Sequence, residues 1–204
     1  FSETGSSVEV LDDMDGDGLP DLAIGSTIVD TSTAGGVFVV LSSQIASLKS
    51  GDTLEDLAHL RLLGTRNNDR LGSAITSGDF DGDGLTDLAI SAVPDSFNEP
   101  GLVYIVFAAD LPVEATTIEI QSMAGVMFTG TTKNDQLGTD LAAVDDLDGD
   151  GDDELLITAP GAGSPQGLAY LVPGFYEVFG NYGIEDAFST TVTPNATSAV
   201  RFLG

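Results

Sequence analysis

Three copies of one acidic loop constrain this chain more than any other feature. "DMDGDGLPDLAIG" begins at Asp13, "DFDGDGLTDLAIS" at Asp79 and "DLDGDGDDELLIT" at Asp146. From Asp13 to Asp79 is 66 residues and from Asp79 to Asp146 is 67, so a unit of that size repeats. The likeness extends past the loops. "LLGTRNNDRLGSAITSGD" before the second loop matches "FTGTTKNDQLGTDLAAVDD" before the third, and "SETGSSVEVLDD" supplies the end of the same pattern before the first. "GGVFVVLSS", "GLVYIVFAA" and "GLAYLVPG" follow the loops, and "AHLRLLG", "GVMFTG" and "AVRFLG" close the units.

Each unit therefore holds four short apolar runs separated by Gly, Asp, Ser and Pro. In the second unit these are residues 73–77, 87–92, 102–108 and 125–129. Runs this short, rich in Val, Ile, Phe and Tyr and bounded by turn residues, are strands. Residues 41–60 have room for a helical turn, interrupted at Gly51. Four strands in every repeat predict an all-β fold of about three four-stranded antiparallel blades of the β-propeller type. Their bounds are 1–64, 65–130 and 131–204. Phe38, Tyr104 and Tyr170 fall inside strand runs and are expected in the core.

Numbered from its first Asp, each loop has Asp at positions 1, 3 and 5: Asp13, Asp15 and Asp17; Asp79, Asp81 and Asp83; Asp146, Asp148 and Asp150. Position 6 is always Gly (Gly18, Gly84, Gly151), which permits a sharp turn. Position 9 is acidic again: Asp21, Asp87 and Glu154. Carboxylates held this close repel unless a cation sits among them. An oxygen-only set of this density suits Ca²⁺, with the carbonyl at position 7 (Leu19, Leu85, Asp152) as a further ligand, giving three sites. In the third loop Glu154 is longer than Asp, and Asp152 and Asp153 crowd it. An EF-hand would need a bidentate Glu at position 12 and a following helix, but position 12 is Ile24, Ile90 and Ile157. Solvated Asp-Gly turns would not keep acid at the same four positions in three copies.

At this point the sequence resembles the FG-GAP repeats of the integrin α-subunit N-terminal β-propeller and its bacterial relatives. The "FG" element stands as Leu71-Gly72, Leu137-Gly138 and Thr4-Gly5, and the "GAP" element as "GST" at Gly25, "AVP" at Ala92 and "TAPG" at Thr158. The resemblance implies Ca²⁺ in the Asp-rich loop, held by positions 1, 3, 5, 7 and 9, and propellers of six to eight blades. Three blades leave two open sheet edges, to be covered by further blades or further copies.

Composition narrows the function. The chain has 33 acidic and 6 basic residues among 204, a formal net charge of −27. Phosphate-binding surfaces need clustered Lys and Arg, so nucleic acid is excluded as a partner, and anionic membrane surfaces are disfavoured. Cysteine is absent, which rules out disulfides and thiolate metal sites. No apolar run approaches the ~20 residues that span a bilayer. The single histidine, His59, is expected to pack rather than catalyse, and no nucleophile system can be assembled around it. "NAT" at Asn195 is a glycosylation sequon that matters only in a glycosylating secretory context. The chain opens at Phe1 without a Met, as a processed protein or a piece of a longer one would.

The expected function is a noncatalytic, calcium-stabilised extracellular or cell-surface scaffold for adhesion or surface assembly. It would be part of a larger propeller or the protomer of a filament, joined head to tail through "RFLG" at one end and "SETGSS" at the other, in a calcium-dependent way. The alternatives are a glycan-binding module and an accessory or catalytic propeller domain of a polysaccharide-degrading enzyme. A surface protein or glycan is the expected further partner.

Overall fold

The computed structural model describes residues 3–29, 32–45, 47–95, 99–163, 167–174, 180–183 and 200–203. Asn195, Phe1 and Gly204 lie outside the described residues. The first unit forms β1 (Thr4–Leu11), β2 (Asp21–Ser26), β3 (Gly36–Val40), the helical turns α1 (Ser42–Ile45) and α2 (Leu54–Leu57), and β4 (Leu60–Leu63). The second forms β5 (Leu71–Gly78), β6 (Asp87–Ala92), β7 (Leu102–Val106), β8 (Thr116–Glu119), α3 (Ile120–Met123) and β9 (Val126–Thr129). The third forms β10 (Leu141–Val144), β11 (Glu154–Ala159), β12 (Leu168–Val172), β13 (Gly180–Gly183) and β14 (Val200–Leu203).

In each unit four of these strands pair antiparallel in chain order, β1-β2-β3-β4, β5-β6-β7-β9 and β10-β11-β12-β14. These are the expected four-stranded blades, and no sheet closes on itself among the described residues. Two blades gain a fifth strand that the repeat pattern did not show. β8, from the second unit, adds in parallel to β4 of the first; β13, from the third, adds in parallel to β9 of the second. The helical turn near residue 54 is fixed by a capping box. Thr53 Oγ1 accepts from the Asp56 N–H, while the Asp56 carboxylate accepts from the Thr53 N–H.

The blades stack face to face because strand side chains alternate and both faces of the middle sheet are apolar. Leu88 and Ile90 of β6 pack towards the first blade, with Leu11, Ala23, Val37, Val39, Leu60 and Leu62. Ala89 of the same strand packs towards the third, among Val103, Ile105, Phe128, Leu155, Ile157 and Tyr170. Phe38, Tyr104 and Tyr170 are all fully buried.

The Leu-Gly pairs set how closely blades approach. Leu71 and Leu137 are buried at the start of the second and third units. Gly72 and Gly138 have φ of +87° and +84°. A Cβ at Gly72 would lie 2.6 Å from the Gly36 carbonyl oxygen, and one at Gly138 would lie 2.7 Å from Ser91 Cβ. Only glycine satisfies both the backbone angle and the space.

Blade stacking carries the stability. Phe128 is 2% exposed between the second and third blades, so Phe128→Ala should destabilise by about 3 to 5 kcal/mol in urea denaturation. Val113, 91% exposed, should change stability by less than about 0.5 kcal/mol when made Ala.

Candidate metal centres

The three acidic loops join the first and second strands of each blade, and they share one local design. The sharp turns come from glycine: position 6 has φ of +86°, +85° and +106° at Gly18, Gly84 and Gly151. Position 4, Gly16, Gly82 or Gly149, also has positive φ, a second turn that the sequence reading did not single out. Wound this way, the loop points its own N–H groups at its carboxylates.

Position 1 accepts most of them. Asp13 Oδ1 takes the N–H groups of Gly16 (2.7 Å) and Asp17 (3.0 Å), and its Oδ2 takes that of Gly18 (2.7 Å). Asp146 repeats this with Gly149, Asp150 and Gly151. Asp79 accepts through Oδ2 from Gly84 at 2.9 Å, and its Oδ1 is buried without a hydrogen-bond partner among the described residues. Position 3 accepts the N–H of position 5, as in Asp15 from Asp17, Asp81 from Asp83 and Asp148 from Asp150. Position 5 accepts the N–H of position 7, as in Asp17 from Leu19, Asp83 from Leu85 and Asp150 from Asp152.

Position 9 closes the loop from the strand below. Asp21 Oδ2, Asp87 Oδ2 and Glu154 Oε2 accept the N–H of Met14 (2.8 Å), Phe80 (3.0 Å) and Leu147 (2.8 Å), each at position 2. In the first two loops the other oxygen takes an N–H from beyond the third strand, Ser42 for Asp21 and Ala108 for Asp87. In the third loop Glu154, 3% exposed, has no hydrogen-bond partner for its Oε1 among the described residues.

One carboxylate oxygen from each of Asp146, Asp148, Asp150 and Glu154 lies within 4.8 Å of the others. Asp79, Asp81 and Asp87 meet the same measure, as do Asp13, Asp15 and Asp17. Asp83 and Asp21 fall outside those tightest groups. Asp79 and Glu154, the residues with orphaned oxygens, belong to two of the three groups, and the donor set is all hard oxygen. That fits a cation such as Ca²⁺.

Two acidic residues outside the ligand pattern join one loop to the next. Asp12 Oδ2 accepts from Thr86 Oγ1 at 2.9 Å, tying the first loop to the second. Asp153 Oδ2 accepts the Asp79 N–H at 3.0 Å, and the Asp153 N–H donates to the Asp79 carbonyl at 2.7 Å. Asp153 therefore turns out of the third loop and steadies the second. Asp152 is buried instead, beneath Gly174. His59 lies at the cleft between the first two blades, its ring Nε2 3.2 Å from the Pro112 carbonyl.

Electrostatics follow the geometry. Burial pushes Asp87 up to about 7, and the Asp81 and Asp83 charges raise it further against the N–H groups of Ala108 and Phe80. Burial also raises Asp81 and Glu154. The Gly18 N–H lowers exposed Asp13. Between the ordinary value of 3.8 and about 7, the folded chain holds a proton on Asp87 that the unfolded chain has lost. Metal-free stability therefore falls as pH rises through that window. In chelator, the melting temperature should be higher at pH 5 than at pH 7.5, and Asp87→Asn should flatten the slope.

Residues 71–106 and 137–172, spanning strands β5 to β7 and β10 to β12 and both of their loops, match the FG-GAP repeat family model. The chain is 31% identical to integrin alpha-11 of Homo sapiens over 126 residues, 57% of this chain and 10% of that protein. It is 31% identical to integrin alpha-5 of Xenopus laevis over 150 residues, 73% of this chain and 14% of that protein. The chain thus spans a small fraction of the length of the relatives it matches.

Proposed function

Two of the three blades carry FG-GAP repeats, and from that premise we propose that the chain is a noncatalytic, calcium-binding extracellular scaffold of the adhesion type. The observation that carries the metal reading is that Asp79 and Glu154, members of two of the acidic groups, each hold a buried carboxylate oxygen, Oδ1 and Oε1, with no hydrogen-bond partner among the described residues. A buried oxygen without a donor is costly, and a divalent cation answers it where no N–H is in reach. Positions 1, 3, 5 and 9 of each loop would hold the ion, with the carbonyls of Leu19, Leu85 and Asp152. When bound, calcium supplies the positive charge that lets the carboxylates stay ionised at neutral pH.

Weak calcium sites of this kind belong where calcium is near millimolar, which supports an extracellular setting. No helix among the described residues is long and apolar enough to cross a membrane. The adhesion reading draws on the relatives, both integrin alpha chains by name.

The other readings find less support. A cleft of about 660 Å³ opens between the first two blades, lined by Asp12, Met14, His59, Leu85 and Leu111 among others. His59 is engaged with a backbone carbonyl, and no Ser or Cys lines the cleft among the described residues. Every aromatic side chain that the structure describes is buried, so none offers a sugar-stacking platform.

Calcium at ten times its Kd should stabilise by about 1.4 kcal/mol per site, or ~4 for three. EDTA should lower the melting temperature at pH 7.5, and Asp81→Ala should remove roughly a third of the calcium-dependent shift. Melting indifferent to EDTA, with no heat of calcium binding in calorimetry, would contradict the metal reading.

A further inference from the structure

The first and third blades each have one face without a neighbouring sheet among the described residues, and the repeat says what such a face takes. Val8, Ile75 and Leu141 pair with Ile24, Ile90 and Ile157, at equivalent points of their blades. Ile75 is 7% exposed and Leu141 8%, each under the blade before it, whereas Val8 is 70% exposed. Leu88, Ile90, Leu155 and Ile157 are fully buried, but their counterparts Leu22 and Ile24 are only half-buried. The outward face of the third blade shows the complementary pattern. Ala23, Ala89, Val37, Val103, Val39 and Ile105 are buried by the blade that follows, while the equivalent Leu156, Ala169 and Leu171 are half-buried. Gly5, the counterpart of the crowded Gly72 and Gly138, has nothing within 4 Å of a Cβ.

The fifth strands supply a second, independent signal. β8 and β13 both lie in the connection before the last strand of their unit, and each adds to the last strand of the unit before. β8 runs directly into α3, and ten residues separate its Thr116 from Val126 at the start of β9. Ten residues also separate Ser50 from Leu60, so residues 50–53 are the matching segment of the first unit, running into α2. They are exposed and folded as a turn, the Asp52 N–H donating to the Lys49 carbonyl at 3.2 Å. β14 has β12 on one side and no strand on the other among the described residues.

We propose that copies of this chain join head to tail by the device that joins its own blades. Residues 50–53 of one copy open from their turn and add as a parallel fifth strand to β14 of another. Carrying over the register of β4 with β8 and β9 with β13 places Ser50 beside Val200 and Asp52 beside Phe202. At the same contact Val8, Leu22 and Ile24 of the first copy cover Leu156, Ala169 and Leu171 of the other. A second copy fits as the partner because each chain carries both the donor segment, in its first blade, and the acceptor edge, in its third. The interface is heterologous, so successive copies form a ring or a filament according to whether the rotation closes. The blade contacts draw on apolar faces and backbone pairing, so the proposal stands apart from the identity of the bound ion.

The chain has no cysteine, so introduced thiols report cleanly. Ser50→Cys and Val200→Cys are made as separate proteins, mixed in millimolar calcium and oxidised. The expected product is a disulfide heterodimer of the two variants, about tenfold above that from Ser50→Cys mixed with the out-of-register Leu203→Cys. Equal yields from the two mixtures overturn the strand register. Light scattering of the unsubstituted chain should give multiples of the protomer mass, and Val8→Asp should weaken association about tenfold or more by burying an unpaired charge. Because Val8 is exposed in the protomer, Val8→Asp should leave the melting temperature of dilute protein unchanged. An unsubstituted chain that stays a single protomer at high concentration overturns the whole interface, whatever its calcium affinity.

Discussion

The repulsion among carboxylates in three short loops is the constraint on which the rest of this structure depends. Each loop draws its acids together because its backbone N–H groups are already aimed inward by paired positive-φ glycines. Those N–H groups occupy some oxygens and leave others without a hydrogen bond among the described residues, most plainly at Asp79 and Glu154. Position 9 is both the last acid of the loop and the first residue of a central strand, at Asp21, Asp87 and Glu154. It accepts the N–H of position 2, and in the first two units also one from beyond the third strand. Ion binding and strand pairing therefore meet on one side chain in each blade. The loops are also coupled to each other, through Asp12 with Thr86 and Asp153 with Asp79.

Above the loops, stability is a matter of neighbours. The middle blade is apolar on both faces because it has a sheet on each side; the outer blades bury one face and half-bury the other. This is the nearest-neighbour behaviour of repeat architectures, in which each unit is completed by the next. The fifth strands extend the dependence from side-chain packing to the backbone. A segment of one unit satisfies the outer edge of the unit before, covering an edge that would otherwise stand open.

Much of this was legible in the sequence, for identifiable reasons. In the second unit the expected runs 87–92 and 125–129 differ by at most one residue from β6 and β9, since Val, Ile and Phe between turn residues leave little choice. The run 102–108 is longer than β7, which gives way to a short helical turn at Ala108. β8 and β13 were not legible. "TTIE" is weakly patterned and "GNYG" carries two glycines, so their extended form comes from the edge each one meets rather than from propensity. Asp12 and Asp153 were hidden for a related reason: each looks like one more acid beside a ligand set, and only tertiary placement shows it bonding to the next loop. The loop glycines and the spacing of the acids were readable because they recur in register three times.

Counting the bound ions tests this account most directly. Flow dialysis of the metal-stripped chain against calcium at pH 7.5 reads the stoichiometry without depending on stability or assembly. The account predicts about three calcium ions per chain, reduced to about two in an Asp146→Ala variant that keeps its fold. Binding of no calcium up to millimolar concentration by a folded chain would contradict it.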